Sequence, residues 1–319
     1  MKVLIVGNSK VGKFLNKTGR FSAFITEQAA DLEKLGVEID YFGVSGKGFW
    51  GYLKCLPGLK RKIKDFKPDI VHAHFGLSGV LACLQRKAPV IITFHNGETL
   101  NKYVNFMTSL ASLTAVYNIY VAEHIYKKLY FKRKNRYTIL PCAVALNDCK
   151  ITPYDEARKE LNFDKDKKYI LFGGAFDNLR KNYELLDNSV RLINRDDIVC
   201  LEMKNINRTQ ISLLMSGCDL FALPSKSEGS PQALKEAMAC NCPIIATDIA
   251  DIRHLLGDLP GHFICDFNVK NTAELLEKAL MFKNRTHGRE RIIALGLDSE
   301  SVAKKILDIY NELCILPLL

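Results

Sequence analysis

The chain has 319 residues, of which 48% are hydrophobic and 25% charged, as in a soluble globular protein with room for two domains. It contains no run of roughly 18 apolar residues, and the apolar stretch at its start is too short for a signal peptide, so neither a transmembrane helix nor a cleaved leader is expected. Ten cysteines without CxxC spacing predict reduced, mostly buried thiols in a cytoplasmic protein.

The net charge of +10 is unevenly placed. Residues 1–150 carry 23 Lys and Arg against 10 Asp and Glu, a charge of +13, whereas residues 151–319 carry 22 against 25, a charge of −3. A basic first half suggests an anionic partner, which could be nucleic acid, a phosphorylated ligand or an acidic membrane surface. The alternative is that these lysines simply solvate helix faces.

Apolar runs and helical periodicity alternate through the first half. Strands are predicted at residues 3–6, 37–42, 69–74, 90–94 and 138–140. Helices are predicted at residues 21–35, 51–66, 77–85, 102–112 and 122–131. Pro57 lies near the start of the 51–66 helix or breaks it.

A polar, irregular segment at residues 141–168 is predicted to be an interdomain linker with one helix at 155–161, after which the same alternation restarts. Strands are predicted at residues 169–172, 198–202, 220–223 and 244–246. Helices are predicted at residues 183–193, 208–215, 272–282 and 301–313.

Two βα-repeating halves predict an α/β fold of two doubly wound, Rossmann-like parallel sheets that face each other across a cleft. The predicted domains are residues 1–150 and 151–300, with a C-terminal helix in 301–319 expected to pack back on the first domain. Ligands of such sheets bind outside the carboxyl ends of the strands, and the candidate motifs fall at such ends.

The most specific motif is LPSKSEGSPQALKEAMACNCPIIATD at residues 223–248. Glu228 lies in a loop, and Glu236 lies about one and a half turns inside the helix that follows. A helix N-terminus beside a Gly-Ser-Pro turn attracts phosphate, and carboxylates accept hydrogen bonds from sugar hydroxyls. The segment therefore predicts a site for a sugar attached to a phosphate.

Two cations, Arg180 and Lys181, follow the strand at 169–172 and its loop GGAFDNL. A cation pair at the carboxyl end of a strand suits a diphosphate. The pair alone could equally start a solvated helix, but its occurrence beside the Glu228–Glu236 motif favours function.

The segment GNSKVGK at residues 7–13 fits the phosphate-binding P-loop pattern, but Phe14 stands where Ser or Thr would hold Mg²⁺. We therefore favour a flexible loop, ending at Gly19, that lines a phosphate-bearing cleft. A P-loop nucleoside triphosphatase remains an alternative. So does a basic nucleic-acid-binding protein, although the sequence shows no aromatic-basic interleaving or nucleic-acid motif.

No metal site is predicted. His72, His74 and His95 come from two adjacent strand ends, but no further Cys, Asp or Glu completes a zinc cluster. His72 is expected in the core and His95 facing a cleft, against substrate hydroxyls. The Asp-Lys-Asp at residues 164–166 is expected to be a solvated turn rather than a metal chelator.

Taken together, the chain resembles the family-4 retaining glycosyltransferases of the GT-B fold, and more closely those that build bacterial cell-surface polysaccharides. The resemblance is carried by PDIVHAH, ITFHNGE, ILPCAV, GGAF followed by RK, and PSKSEGSPQALKEAMACNCPIIATD. It departs from the family at Ser230-Pro231, where many relatives have Phe-Gly, and at Asn-Gly-Glu after His95, where an Asp is common.

The resemblance implies a role for each site residue. Arg180 and Lys181 would hold the donor diphosphate and stabilise the leaving group, while Glu228 would contact the transferred sugar and Glu236 the ribose. His95 would hydrogen-bond the donor sugar or polarise the site. The remaining donor-binding positions are Gly19, Gly174, Gly229, Ser230 and Pro231.

The resemblance also implies the reaction. A nucleoside diphosphate sugar, expected to be UDP-linked, would give its sugar to a hydroxyl of a glycan or lipid-linked acceptor, with retention and without a metal or cofactor. The basic first half would hold the acceptor, with peripheral contact to the anionic inner face of the membrane if that acceptor is lipid-linked. No nucleic-acid partner is expected.

Overall fold

The computed structural model describes residues 1–8, 21–46, 48–97 and 101–315, except for the side chain of Phe49. The chain forms two compact units. Unit 1 comprises residues 1–143 together with the C-terminal residues 299–319, and unit 2 comprises residues 144–298. None of the helices in the described residues is long and apolar enough to cross a membrane.

Unit 1 is built on a six-stranded parallel sheet in the order β2-β1-β3-β4-β5-β6. Residues 3–6 of the first strand are wholly buried, as expected where helices cover both faces of a parallel sheet. The strands are β1 Lys2–Asn8, β2 Glu38–Val44, β3 Ile70–His74, β4 Val90–Phe94, β5 Tyr117–Tyr120 and β6 Tyr137–Ile139.

Seven helices in the described residues surround this sheet. They are α1 Ala23–Lys34, α2 Gly48–Leu53, α3 Leu56–Phe66, α4 Gly76–Cys83, α5 Lys102–Thr114, α6 Glu123–Lys128 and, from the end of the chain, α14 Ser299–Ile315. Val302, Ile306 and Tyr310 of α14 are buried in the same core cluster as Val3 and Ile5 of β1. The last helix therefore completes one face of the first sheet.

Unit 2 is built on a five-stranded parallel sheet in the order β11-β10-β9-β7-β8. Its strands are β7 Lys168–Phe172, β8 Ile198–Glu202, β9 Leu220–Leu223, β10 Ile244–Thr247 and β11 His262–Cys265. Its helices in the described residues are α7 Tyr154–Glu160, α8 Tyr183–Ile193, α9 Arg208–Gly217, α10 Gln232–Ala239, α11 Ile252–Leu256, α12 Val269–Met281 and α13 Gly288–Ala294.

The structure differs from the sequence-based assignment in several elements. The helix predicted at 51–66 is two helices, α2 and α3, with Pro57 in the first turn of α3, where its missing N–H costs no hydrogen bond. The strands β5 and β11 and the helices α11 and α13 were not predicted. The segment predicted as a linker is packed into unit 2 from Val144 onward, where Val144 pairs with Asp298.

All ten cysteines are free thiols. Nine of them are buried or half-buried, and only Cys314 is exposed. The burial of these side chains agrees with the prediction that the thiols are mostly buried.

Candidate functional site

The carboxyl ends of β7 and β9 in unit 2 bring together three charged residues that are far apart in sequence. Lys181 Nζ lies 2.8 Å from Glu228 Oε1, and Arg180 Nη1 lies 3.5 Å from Glu228 Oε2. The side chains of Lys181 and Glu228 are mostly buried, whereas that of Arg180 is half-exposed. One carboxylate therefore faces two cations, which leaves a net positive charge at this edge of the sheet.

The two loops that carry these residues are joined by hydrogen bonds to each other's backbone carbonyls. The Lys226 N–H donates to the Arg180 carbonyl at 2.9 Å, and Asn182 Nδ2 donates to the Pro224 carbonyl at 3.1 Å. Ser225 Oγ donates to Glu228 Oε1 at 2.8 Å. The carboxylate is thus fixed from two directions, because Lys181 and Ser225 hold the same oxygen.

Gly174 lets Lys181 reach this position. A Cβ at residue 174 would lie 2.8 Å from Lys181 Cγ, closer than real Cβ contacts. The backbone of Gly174 is itself held between strands, since its carbonyl accepts from the Met203 N–H at 2.9 Å. A side chain at this position would displace the lysine from Glu228.

The residues predicted to face the sugar and phosphate lie at the start of α10. Pro231 is the N-cap of this helix, one position before the first helical residue where the sequence placed it, with extended backbone angles of −70° and 113°. Helix α10 points its N-terminus, and hence its positive dipole end, toward residues 229–231. Glu236 lies farther along α10, where it lines a small cavity with Asp148 and Arg208.

A second polar cluster lies directly behind this loop and was not predicted. Ser230 Oγ donates to Asp251 Oδ2 at 2.8 Å, and Lys235 Nζ lies 3.4 Å from Ser230 Oγ. Lys235, the helix residue before Glu236, is fully buried, although lysine side chains are usually exposed. Only the three-dimensional packing of α10 within unit 2 shows that this lysine is internal.

The pKa of Asp251 depends on these neighbours. Burial raises its pKa, and the hydrogen bond from Ser230 and the charge of Lys235 oppose that rise. Its Oδ1 is buried without a hydrogen-bond partner in the structure. The cluster of Ser230, Lys235 and Asp251 therefore links the loop at the start of α10 to the start of α11.

The histidines of unit 1 are also brought together, as predicted from their strand positions. His72 and His74 stack with ring centroids 4.6 Å apart, and His74 Nδ1 lies 3.3 Å from His95 Nε2. His72 is in the core, as expected, between Tyr310 Oη at 2.5 Å and Thr93 Oγ1 at 2.7 Å. These contacts fix the ring of His72 between α14 and β4.

His95 is almost fully buried, with the rings of Phe24 and Phe75 at 4.8 and 4.6 Å. Burial holds the pKa of His74 at about 3 and that of His72 well below its usual range, so both rings are neutral near pH 7. His72 and His74 are thus a buried, uncharged pair in unit 1, whereas the cluster around Glu228 in unit 2 is ionic.

Some predicted features lie outside the described residues: Lys13, Phe14 and Gly19 in the first loop, and Glu98 after His95. Asp164 and Asp166 form an exposed turn, in which the Asp166 N–H donates to Asp164 Oδ1 at 2.9 Å. Within the described ranges, no group of three or more His, Cys, Asp or Glu is arranged to hold a metal ion.

Comparison with known proteins places this arrangement in a family. Residues 22–148 match the model for Glycosyltransferase Family 4, and residues 202–293 match the model for Glycosyl transferases group 1. The chain is a GT-B glycosyltransferase of family 4. The first match covers most of unit 1, and the second includes Glu228, Ser230, Lys235, Glu236 and Asp251.

This glycosyltransferase is similar to curated bacterial proteins. It is 27% identical over 226 residues to TuaC of Bacillus subtilis, whose name links that protein to teichuronic acid biosynthesis; the match covers 61% of this chain and 57% of TuaC. It is 24% identical over 306 residues to the O-antigen biosynthesis glycosyltransferase WclY of Escherichia coli, covering 82% and 83% of the two chains.

The fold is shared with a solved structure. HepE from Anabaena, in complex with UDP, superposes with a TM-score of 0.76 at 14% identity, over 98% of this chain and 100% of that one. At this level of identity the likeness concerns the fold alone.

Proposed function

We propose that this glycosyltransferase moves a sugar from a nucleoside diphosphate sugar, with UDP as the nucleotide, to a hydroxyl of a glycan or lipid-linked acceptor in surface polysaccharide synthesis. The family supports sugar transfer. The names of TuaC and WclY support the pathway class, and the UDP in HepE supports the nucleotide.

The observation that carries the proposal is the ionic cluster of unit 2. Arg180 and Lys181 converge on Glu228, and the half-exposed Arg180 guanidinium is accessible to an incoming anion. The start of α10 adds its dipole on the same side. A departing diphosphate gains charge in the transition state, and fixed cations stabilise it without having to reorganise.

Each site residue is proposed to bind a different part of the donor. Arg180 and Lys181 hold the diphosphate, Glu228 accepts hydrogen bonds from the transferred sugar, and Glu236 accepts them from the ribose. The backbone of residues 229–231 faces the sugar and phosphate. His95 is proposed as a hydrogen-bonding group toward the donor sugar.

We propose that the anomeric configuration is retained. The acceptor oxygen bonds to the anomeric carbon as the bond from that carbon to the diphosphate oxygen breaks. The acceptor proton passes to the leaving phosphate on the same face of the sugar. Because cations and a helix dipole stabilise the leaving group, the step is proposed to need neither a metal nor a cofactor.

A lipid-linked acceptor would place the chain in the cytoplasm, peripherally on the inner face of the membrane. None of the family matches or similar proteins favours a P-loop nucleoside triphosphatase or a nucleic-acid-binding protein.

A transfer assay tests the proposal. UDP, GDP, ADP and their sugars are first screened by thermal shift, and the donor that stabilises the protein most is then supplied with an acceptor glycan. We expect UDP sugars to stabilise most, transfer to persist in EDTA, and the product linkage to keep the donor configuration by NMR.

Lys181→Ala and Glu228→Ala are each expected to lower turnover by roughly a hundred- to a thousandfold. Lys278→Ala, an exposed position on α12, is the matched control and should match the parent. Near-normal turnover in both site variants would refute the site assignment. An inverted product, or activity lost in EDTA and restored by Mg²⁺, would refute the mechanism.

A further inference from the structure

The hydroxyl of Ser230 is engaged inside unit 2. Its hydrogen is donated to Asp251 Oδ2 at 2.8 Å, and the Nζ of the fully buried Lys235 lies 3.4 Å from its oxygen. A serine hydroxyl has one hydrogen to give. Because Asp251 takes that hydrogen, the Ser230 side chain acts as a tie within the protein and has no donor left for a ligand.

This tie completes the anchoring of the loop between β9 and α10. Near β9, Thr247 Oγ1 donates to the Ser225 carbonyl at 2.7 Å, in addition to the contacts with the loop that carries Arg180. Near α10, the hydrogen bond from Ser230 to Asp251 connects the loop to the residue that precedes α11. Ser230 is therefore a point at which the second half of the loop is fixed.

Residues 229–231 have few groups with which to hold a ligand. Proline has no backbone N–H, so this stretch offers at most the N–H groups of Gly229 and Ser230. Glycine has no side chain, and the Ser230 hydroxyl is committed to Asp251. The directions of these two backbone donors therefore depend on where the Ser230 side chain is held.

The anchor is costly for folding. Burial raises the pKa of Asp251, and the hydrogen bond from Ser230 and the charge of Lys235 oppose that rise. The Oδ1 atom of Asp251 is buried with no hydrogen-bond partner among the described residues. Buried charges and unsatisfied oxygens cost free energy that apolar residues of similar size would not. Such costs are expected mainly where function requires them.

We propose that Ser230, Asp251 and Lys235 position the backbone N–H groups of Gly229 and Ser230 against the transferred sugar of the donor. Asp251 holds the Ser230 side chain, and the charge of Lys235 favours the ionised form of that carboxylate. Asp251 and Lys235 act through Ser230, so they are positioning residues. The inference rests on the proposed function, which places the donor at the start of α10. A misplacement of about 1 Å at a reacting centre can cost roughly a hundredfold in rate.

The first test is transfer kinetics with the UDP sugar that stabilises the protein most. Ser230→Ala should lower kcat by at least roughly tenfold, because the loop loses its tie. Its calorimetric affinity for UDP, which lacks the sugar, should change by less than about threefold, because Arg180 and Lys181 still hold the diphosphate. A purely structural role would lower UDP affinity and transfer together.

Two further variants serve as comparisons. Ser230→Thr keeps a hydroxyl on Cβ and should recover most of the loss in kcat. Glu274→Ala, at an exposed position on α12, is the control and should match the parent.

Asp251→Ala identifies the partner of Ser230. If the two residues act through one hydrogen bond, Ser230→Ala combined with Asp251→Ala should lower kcat no further than the larger single loss. Circular dichroism shows whether each variant is folded. Where Asp251→Ala fails to fold, the comparison of Ser230→Ala with Ser230→Thr and the exchange measurement decide.

Amide hydrogen exchange without any ligand tests the anchor apart from catalysis. A peptide covering residues 229–235 should exchange roughly tenfold faster in Ser230→Ala than in the parent or in Ser230→Thr, because the loop opens locally. The amides of residues 225 and 226 should keep the parent rate, since their own contacts are unchanged.

Unchanged kcat in Ser230→Ala, parallel loss of UDP affinity and transfer, or unchanged exchange at residues 229–235 would overturn the proposal. Additive losses in the double variant would show that Ser230 does not act through Asp251 and would overturn it as well. A parent that binds no UDP sugar and transfers none, but whose loop exchanges faster in Ser230→Ala, would instead refute the proposed function and leave only the anchor.

Discussion

The two units place polar clusters at the same topological position, the carboxyl ends of parallel strands, but with opposite chemistry. In unit 2, Lys181 and Arg180 face Glu228, so that two cations meet one carboxylate. In unit 1, His72 and His74 are buried beside each other, and burial keeps both rings neutral. The same fold thus buries an ionic cluster in one unit and a pair of neutral imidazoles in the other.

The difference follows from what each buried group can pair with. A buried charge is costly unless another charge or several hydrogen bonds compensate it. Glu228 is compensated by Lys181 and Ser225. His72 has two hydroxyl partners, Tyr310 and Thr93, and no carboxylate, so its neutral form is favoured. These features yield two predictions, one for each unit.

The larger effect is expected in unit 2. Lys235→Met removes a buried cation whose charge stabilises the buried Asp251 carboxylate, which should lower the free energy of unfolding of unit 2 by about 3 kcal/mol. The measurement is urea denaturation monitored by circular dichroism.

Lys278→Met, at an exposed position on α12, is the matched control and should change stability little. Adding Asp251→Asn to Lys235→Met should recover part of the loss, because the unpaired carboxylate is gone. A stability change in Lys235→Met no larger than in Lys278→Met would show that Lys235 is not part of a buried ionic cluster.

The smaller effect is a pH dependence in unit 1. Because the folded pKa of His74 is about 3 and its unfolded value is near 6.5, the unfolded chain binds the extra proton between these pH values. Stability is therefore full above about pH 6.5 and falls by about 1.4 kcal/mol per pH unit for each such histidine as the pH drops.

The measurement is the free energy of unfolding between pH 7 and pH 5 in the parent and in His74→Gln. The slope should be shallower in the variant, whereas His287→Gln, at an exposed histidine of unit 2, should keep the parent slope. A parent slope of zero over this range would mean that the histidines titrate normally and that the contrast between the units is wrong.

The sequence predicted those elements whose pattern is local. Continuous apolar runs such as residues 3–6 and 90–94 marked buried strands, and the Gly-Ser-Pro turn with two carboxylates marked the start of α10. Strand β5 was missed because Tyr117–Tyr120 contains Asn118, a polar residue whose buried side-chain amide donates to the Ser112 carbonyl at 2.8 Å. Such a contact leaves no trace in hydrophobic periodicity.

The same limit applies to the site. Arg180, Lys181 and Glu228 were predicted as a set because each follows a strand of one parallel sheet. Lys235 and Asp251 were missed because their burial depends on how the helices of unit 2 pack, which no local pattern encodes. The exposed apolar side of α5, which includes Tyr103 and Phe106, was missed for a related reason: the sequence of an apolar helix does not show which face is covered.

The most direct measurement is the calorimetric affinity of UDP compared with uridine. In the parent, and in Lys278→Ala, we expect UDP to bind roughly ten- to a hundredfold more tightly, since the diphosphate gains charge-assisted hydrogen bonds that uridine cannot make. In Lys181→Ala, and in Arg180→Ala, whose half-exposed side chain can be removed with little cost to folding, that advantage should shrink to a few-fold. Equal affinities of UDP and uridine in the parent, or an unchanged advantage in both variants, would contradict the account.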